Sequence, residues 1–327
     1  MKSVLLKTFL VAGLATLAIP AFAAKYTLSV NTALTTNDPL YKGLESFRDA
    51  MAKRSNGELE VKLFPNSQLG PDDDVLEQAR AGAPVAVVSD GGRLSAFVQE
   101  FGVLSAPYIA PGGYDGIRKV VTSPLLDEWA AKLAKASGHQ VLSFNWWQGE
   151  RELWTQSPVK TPADLKGNRM RTIGAPIWLE SIRAMGATPT PMPWAEVYSA
   201  LEQKVIDSVE AQLPAGYGSK LQEVTRYLTK THHIHLISGL ITSAQWFNSL
   251  PPDLQKALRE ESLKAGDVAS FGTRDNLEQI TKNLAAAGMT VVEDVDLTPF
   301  KEATEGIYGQ FGYGELRKKI QEIVDAK

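Results

Sequence analysis

The stretch LKGNRMRTIGAPIWLESIRAMGATPTPMPWAEVYSALEQKVIDSVE (Leu165–Glu210) decides the fold. Arg169–Ile173 reads as a strand, and Pro176–Met185 as a helix that a proline opens. The proline-rich run Pro189–Pro193 reads as a loop, Trp194–Lys204 as a second helix and Ile206–Glu210 as a second strand. Strands that alternate with helices imply mixed or parallel sheets covered by helices, an α/β class.

The same rhythm continues outward. On the N-terminal side come a short strand at Tyr26–Val30, a helix marked by Leu40, Leu44, Phe47 and Met51, and a half-buried strand marked by Leu59, Val61 and Leu63. A helix over Asp72–Arg80, a buried strand at Pro84–Val88, one long helix over Tyr114–Ala136 and a strand at His139–Trp147 follow. On the C-terminal side the reading is strand His232–Ile241, helix Pro252–Ala287, strand Met289–Val295 and helix Tyr313–Val324. The glycine-rich run GIYGQFGYG (Gly306–Gly314) follows no strand, so it reads as a turn before the last helix.

About 300 residues usually divide into two domains. No flexible linker interrupts the pattern, so the chain is expected to cross between them more than once. The helix beginning at Pro252 exceeds 30 residues, enough to span both. The expected fold is therefore two-lobed, with a ligand cleft at the carboxyl ends of the strands. The lobes are drawn as 24–149 plus 237–275 and as 150–236 plus 276–327.

Residues 1–23 read as a secretory signal: Lys2 and Lys7, an apolar run from Phe9 to Ile19, and the small-residue site Ala21-Phe22-Ala23. The expected compartment is the periplasm. Removing them takes away two lysines and no acids, which leaves 34 − 2 = 32 basic against 37 acidic residues, a net charge of −5. That balance argues against nucleic acid or an anionic membrane surface as the partner. There are no cysteines, hence no disulfides and no thiolate chemistry.

The sequence has no GxSxG, P-loop, HExxH or CxxC motif. The cluster His232-His233-Ile234-His235 is its only metal-like motif, with His233 and His235 expected on one strand face. Further ligands are not adjacent in sequence, so no metal and no cofactor are expected. The three acids Asp72–Asp74 are explained by the dipole of the helix they open. What stands out is a pair of arginines twenty residues apart, Arg151 and Arg171. The guanidinium fork matches a carboxylate and stays charged, so the pair points to capture of a small organic anion. Arg169 shares the face of Arg171 on a regular strand, so one of them twists away or serves the domain interface. Trp146 and Trp147 point to opposite faces. One belongs to a core and the other, taken as Trp147, reaches the cleft.

The chain resembles a solute-binding protein of a tripartite ATP-independent periplasmic (TRAP) transporter, of the dicarboxylate-binding-protein (DctP) type. The resemblance rests on SNGELEVKLFPNSQLG (Ser55–Gly70), FGVLSAPYI (Phe101–Ile109), LKGNRMRT (Leu165–Thr172) and GATPTPMPWAEVYSALEQKVIDSVE (Gly186–Glu210), in that order. It implies a non-enzymatic, monomeric binding protein that delivers an organic acid to a membrane permease. It places Arg171 on the carboxylate, Arg151 as a second contact and Trp194 packed over the ligand. Asn31 falls on a first-loop contact, and Asp90 and Arg93 on the facing wall, where they also suit a salt bridge to each other. The chain reads Glu210-Ala211-Gln212 where the family often carries Asn-Pro after the acid, so Ala211 removes an amide that Gln212 replaces or not. His235 and Tyr217 are weaker candidates. A hydroxy or sugar monocarboxylate suits this lining, and an aromatic acid suits the tryptophans. The alternatives are a binding protein of an ATP-driven transporter, a structural module, and a periplasmic metal-dependent hydrolase using His232, His233 and His235.

Overall fold

The computed structural model describes residues 24–110 and 112–326; the expected signal segment lies outside them. Nine strands are present among these residues: β1 (Tyr26–Asn31), β2 (Leu59–Phe64), β3 (Val85–Asp90), β4 (His139–Thr155), β5 (Arg169–Thr172), β6 (Thr188–Pro191), β7 (Ser208–Gln212), β8 (Tyr227–Ser243) and β9 (Thr290–Val292). They form one mixed sheet in the order β2-β1-β3-β8-β4-β7-β5-β6, with β9 on β8. Parallel pairs (β1–β2, β1–β3, β5–β6, β5–β7, β8–β9) flank the antiparallel core β3–β8–β4–β7.

The two 17-residue strands β4 and β8 carry the architecture. The far end of β8 pairs with β3 (Ser238↔Asp90), while the far end of β4 pairs with β7 (Arg151↔Gln212). The chain thus passes between the two lobes along both strands, and again along the helix Pro252–Ala286. At ~1.5 Å per residue that 35-residue helix is about 52 Å long. Polar side chains fix it to β4: Asn145 Nδ2 donates to Leu263 O (2.7 Å), Trp147 N to Ser270 Oγ (2.8 Å), and Ser143 and Ser262 share a bond of 2.7 Å. It also packs on the helix Pro39–Arg54, where a Cβ at Gly43 meets Ala269 Cβ at 2.6 Å, so only glycine permits that approach. No described helix is long and apolar enough to cross a membrane.

Several expected boundaries move for local reasons. The helix expected over Tyr114–Ala136 is two, Gly113–Val121 and Pro124–Ser137, because Pro124 has no N–H to continue the first. The proline-rich loop contains β6, which tolerates Pro189 and Pro191 because it lies at the sheet edge. Gly306–Gln310 is a short helix rather than a turn. Trp146 and Trp147 do point to opposite sides, but each enters a separate core, and neither reaches the cleft.

Candidate functional site

The site lies where β3, β5 and β7 end beside Gln148 and Arg151 of β4. A cavity of about 60 Å³ is lined there by Arg171, Arg151, Trp194, Asp90, Arg93 and Gln212, all expected, and by Asp72, Gln148 and Thr32, which were not. Leu34, Val88, Ile173 and Leu236 supply apolar wall. That volume takes a few waters or the body of a small polar ligand.

Arg171 sits on β5 beyond Met170, with its side chain buried. Its Nε and Nη2 donate to the carbonyl of Met192 at 3.1 and 2.9 Å, and the guanidinium lies 5.2 Å from the Trp194 ring centre. No carboxylate among the described residues pairs with it. Burial, and next the Arg151 guanidinium, push its pKa down to about 9. Arg169, at the start of the same strand, stays outside on Asp207 (2.8 Å).

Arg151 differs in kind. It is buried and ion-paired with Glu210 through Nε and Nη2, and its Nη1 donates to Gln212 Oε1 (2.9 Å). Glu210 also accepts from Thr172 Oγ1 (2.7 Å), and His233 Nε2 lies 3.6 Å away. Burial pushes the Glu210 carboxyl up, but Arg151 and His233 outweigh it and hold it down at about 2. From Arg151 a hydrogen-bonded chain continues through Gln212 and Gln148 to Ser238, each step 2.9 Å. The second fork is therefore satisfied internally, and of the three arginines lining the cavity only Arg171 has no ion pair among the described residues.

The facing wall is an ion cluster. Asp90 caps the turn Gly91–Leu94, accepting from Arg93 N (3.1 Å), and it pairs with the Arg93 guanidinium. Arg93 also reaches Asp73 (3.0 Å) and Asp72 (4.0 Å). Asp90 and Arg93 thus both line the cavity and pair with each other. Trp178, from the helix Pro176–Ala184, donates its indole N–H to Asp90 (3.0 Å), and its ring lies 4.8 Å from the Arg151 guanidinium. It is wholly buried and ties the two walls together, and the sequence reading did not single it out. Burial raises the Asp72 pKa to about 6 against the lowering effect of Arg93, and its Oδ1 has no hydrogen-bond partner.

Four expected site residues lie outside the cavity lining. Asn31 spends its amide on the loop below, donating to Gly70 O and accepting from Leu69 N, both 3.1 Å. Trp147 stacks on Tyr114 at 5.6 Å in the core. Glu210 lies behind Arg151, and His235 faces Glu150. Tyr217 likewise is absent from the lining, its hydroxyl accepting from Asn283 at 3.4 Å. His233 faces Glu210 and His235 faces Glu150, each at 3.6 Å, so the two do not share a partner. Carboxylates distant in sequence do accompany the histidines: Glu150, Glu152 and His232 bring their ligand atoms within 4.8 Å of one another.

Comparison with known proteins agrees with this architecture. Residues 30–314 match the family model of the bacterial extracellular solute-binding protein, family 7 (DctP). The chain is 30% identical over 294 residues to the 2,3-diketo-L-gulonate-binding periplasmic protein YiaO of Escherichia coli, covering 90% of this chain and 88% of that one. A TRAP periplasmic solute-binding protein of Escherichia fergusonii, in an apo open structure, is 44% identical with a TM-score of 0.79, over 91% of this chain and 99% of that one. One from Actinobacillus succinogenes with bound L-galactonate is 32% identical with a TM-score of 0.87, again over 91% and 99%. The chain belongs to the DctP family of TRAP periplasmic solute-binding proteins, folded in two lobes about a cleft.

Proposed function

We propose that this protein captures a small hydroxylated monocarboxylate, a sugar acid or hydroxy acid, between its lobes and delivers it to the membrane permease of a TRAP transporter. It does so as an exported monomer, with residues 1–23 removed and the lobes divided as 24–149 plus 237–275 against 150–236 plus 276–327. The observation that carries the reading is the buried guanidinium of Arg171 without a carboxylate partner. Around it, Arg151 is matched by Glu210 and Arg93 by Asp90. One uncompensated cation calls for one carboxylate, not two. The remaining lining of Gln148, Gln212, Thr32 and Asp72 is suited to hydroxyls rather than to an aromatic ring. The relatives named for 2,3-diketo-L-gulonate and L-galactonate bind acids of this kind.

The test is a thermal-shift screen of the mature protein against aldonates, uronates, short hydroxy acids, aromatic acids and C4 dicarboxylates. A ligand at one hundred times its Kd adds about 2.7 kcal/mol, a shift of several degrees. Stabilisation by a hydroxylated monocarboxylate is expected. A response confined to dicarboxylates or to aromatic acids overturns the assignment.

A further inference from the structure

We propose a second site, a zinc-binding clip on the side of β4 away from the ligand cleft, formed by His232, His235, Glu150 and Glu152. In this reading Zn²⁺ is bound by two imidazole nitrogens from β8 and two carboxylates from β4. It ties the long strands together where the chain passes between the lobes.

The placement follows from the backbone. Arg151 turns its side chain into the cleft, so its neighbours Glu150 and Glu152 point to the opposite side of β4. On β8 the pairing steps from Arg151↔Ile234 to Leu153↔Thr229, so β8 carries three more residues than β4 through this interval. The excess is a bulge centred on His232, held in the left-handed region at φ 47°. Bulges re-aim side chains beside functional sites, and a strained non-glycine residue persists only where its surroundings enforce it. This one turns the His232 ring over both glutamates, and Glu152 accepts the His232 backbone N–H at 2.8 Å.

His232 Nδ1 lies 2.6 Å from Glu150 Oε2 and 2.8 Å from Glu152 Oε1, yet it has no partner in hydrogen-bond geometry. The independent observation is His235. It is paired in register with Glu150 and more than nine-tenths buried. Its Nδ1 has no hydrogen-bond partner and faces Glu150 Oε1 at 3.6 Å. A buried imidazole nitrogen left free beside a carboxylate suits a metal-ligating histidine. Ligands ~2.0–2.2 Å from a tetrahedral zinc lie about 3.4 Å apart. Glu150, Glu152 and His232 already bring their ligand atoms within 4.8 Å of one another, and His235, outside that set but 3.6 Å from Glu150, swings inward to complete the shell. Two imidazoles with two carboxylates suit zinc or a neighbouring transition ion rather than Ca²⁺ or Mg²⁺. The partly exposed His232 and Glu150 leave a path from solvent. Four protein ligands close the coordination shell, so the site is structural, not hydrolytic.

The experiment is a calorimetric Zn²⁺ titration of chelator-stripped mature protein, run on the wild type, Glu150→Gln, His235→Gln and, as a cleft control, Arg171→Ala. One equivalent is expected to bind the wild type and the Arg171 variant alike. Either substitution in the cluster is expected to weaken binding about tenfold or more. Co²⁺ loading of the wild type reads the ligands without any variant, through paramagnetically shifted ring-proton signals from two histidines. Absence of saturable binding to folded wild type overturns the proposal and leaves a protonated His232 bridging two glutamates. Binding that survives both substitutions, or a cobalt spectrum without the two histidines, marks an adventitious ion and equally overturns it. None of these outcomes depends on which acid occupies the cleft.

Discussion

Replacing Arg171 by methionine separates a ligand anchor from a structural arginine. The substitution keeps the volume of the stem and removes the charge. In the ligand-free protein the guanidinium is pushed from 12.5 to about 9, mainly by burial. At ~1.4 kcal/mol per pH unit this amounts to at most about 5 kcal/mol of unfavourable ionisation. The sign follows directly: a cation whose folded pKa is depressed subtracts stability below pH 9, and the loss is recovered between pH 9 and 12.5. Against the relief stands the Met192 carbonyl, which loses both donors at a cost of about 1–3 kcal/mol. The ligand-free variant should therefore be as stable as the wild type or gain up to about 4 kcal/mol. Binding should move the other way. Losing one partner of a buried charge pair costs about 2–5 kcal/mol, or roughly 30-fold to several-thousand-fold in Kd. Urea unfolding without ligand, beside calorimetric titration with the best acid of the screen, measures both. A variant that loses more than about 2 kcal/mol without ligand while still binding would refute the reasoning, because Arg171 would then be holding the fold.

Other substitutions probe the supporting charges. Glu210→Gln strands Arg151 as a buried cation and should cost about 3–5 kcal/mol in urea unfolding at pH 7. Since the Glu210 carboxyl is held at about 2, below its ordinary 4.5, its stabilisation is complete above pH 4.5 and is lost as the pH falls toward 2; the variant should show a flatter acid limb. Asp72, raised from 3.8 to about 6, subtracts stability above pH 6 and nothing below pH 3.8, so Asp72→Asn should be about 1–3 kcal/mol more stable than wild type at pH 7.5 and equal to it near pH 3.5. Trp178→Phe keeps a ring beneath Arg151 but removes the bond to Asp90, and should cost about 1.5–3 kcal/mol by thermal and urea unfolding. A neutral alditol that matches the best aldonate in every hydroxyl should fail to produce the compact form in small-angle scattering, where the acid succeeds.

What was legible from the sequence was what local pattern determines. The helix Pro252–Ala286 shows helical spacing for 35 residues with no proline after its first, and it stands nearly as read. β4 was read only to Trp147, because Gln148-Gly149-Glu150-Arg151 is polar and contains a glycine at φ 106°. It continues to Thr155 because β7 and β8 supply its hydrogen bonds, information that is not local. The family patterns located Arg171, Arg151, Trp194, Asp90 and Arg93 at the cleft, yet gave no reason to separate the paired arginine from the unpaired one. That distinction comes from Glu210, 59 residues beyond Arg151 in sequence. Asp72 read as a helix-dipole residue and Trp178 was not singled out; their places at the cleft come from Arg93 and Asp90, which the fold brings to them. The histidine cluster looked short of ligands for the same reason, since its carboxylates arrive from the neighbouring strand.

These charges also bear on why the lobes close. In the structure Arg171 and Asp72 are both held against their preferred ionisation, chiefly by burial. Parting the lobes returns water to both groups, so the empty cleft is biased open. A bound carboxylate relieves Arg171 without opening the cleft. Shifting a two-state equilibrium from 1:99 to 99:1 takes about 5.5 kcal/mol of differential binding. Relief at Arg171, at most about 5 kcal/mol before the ligand carboxylate's own desolvation is subtracted, is the share of that drive open to a carboxylate, and hydroxyl contacts supply the rest.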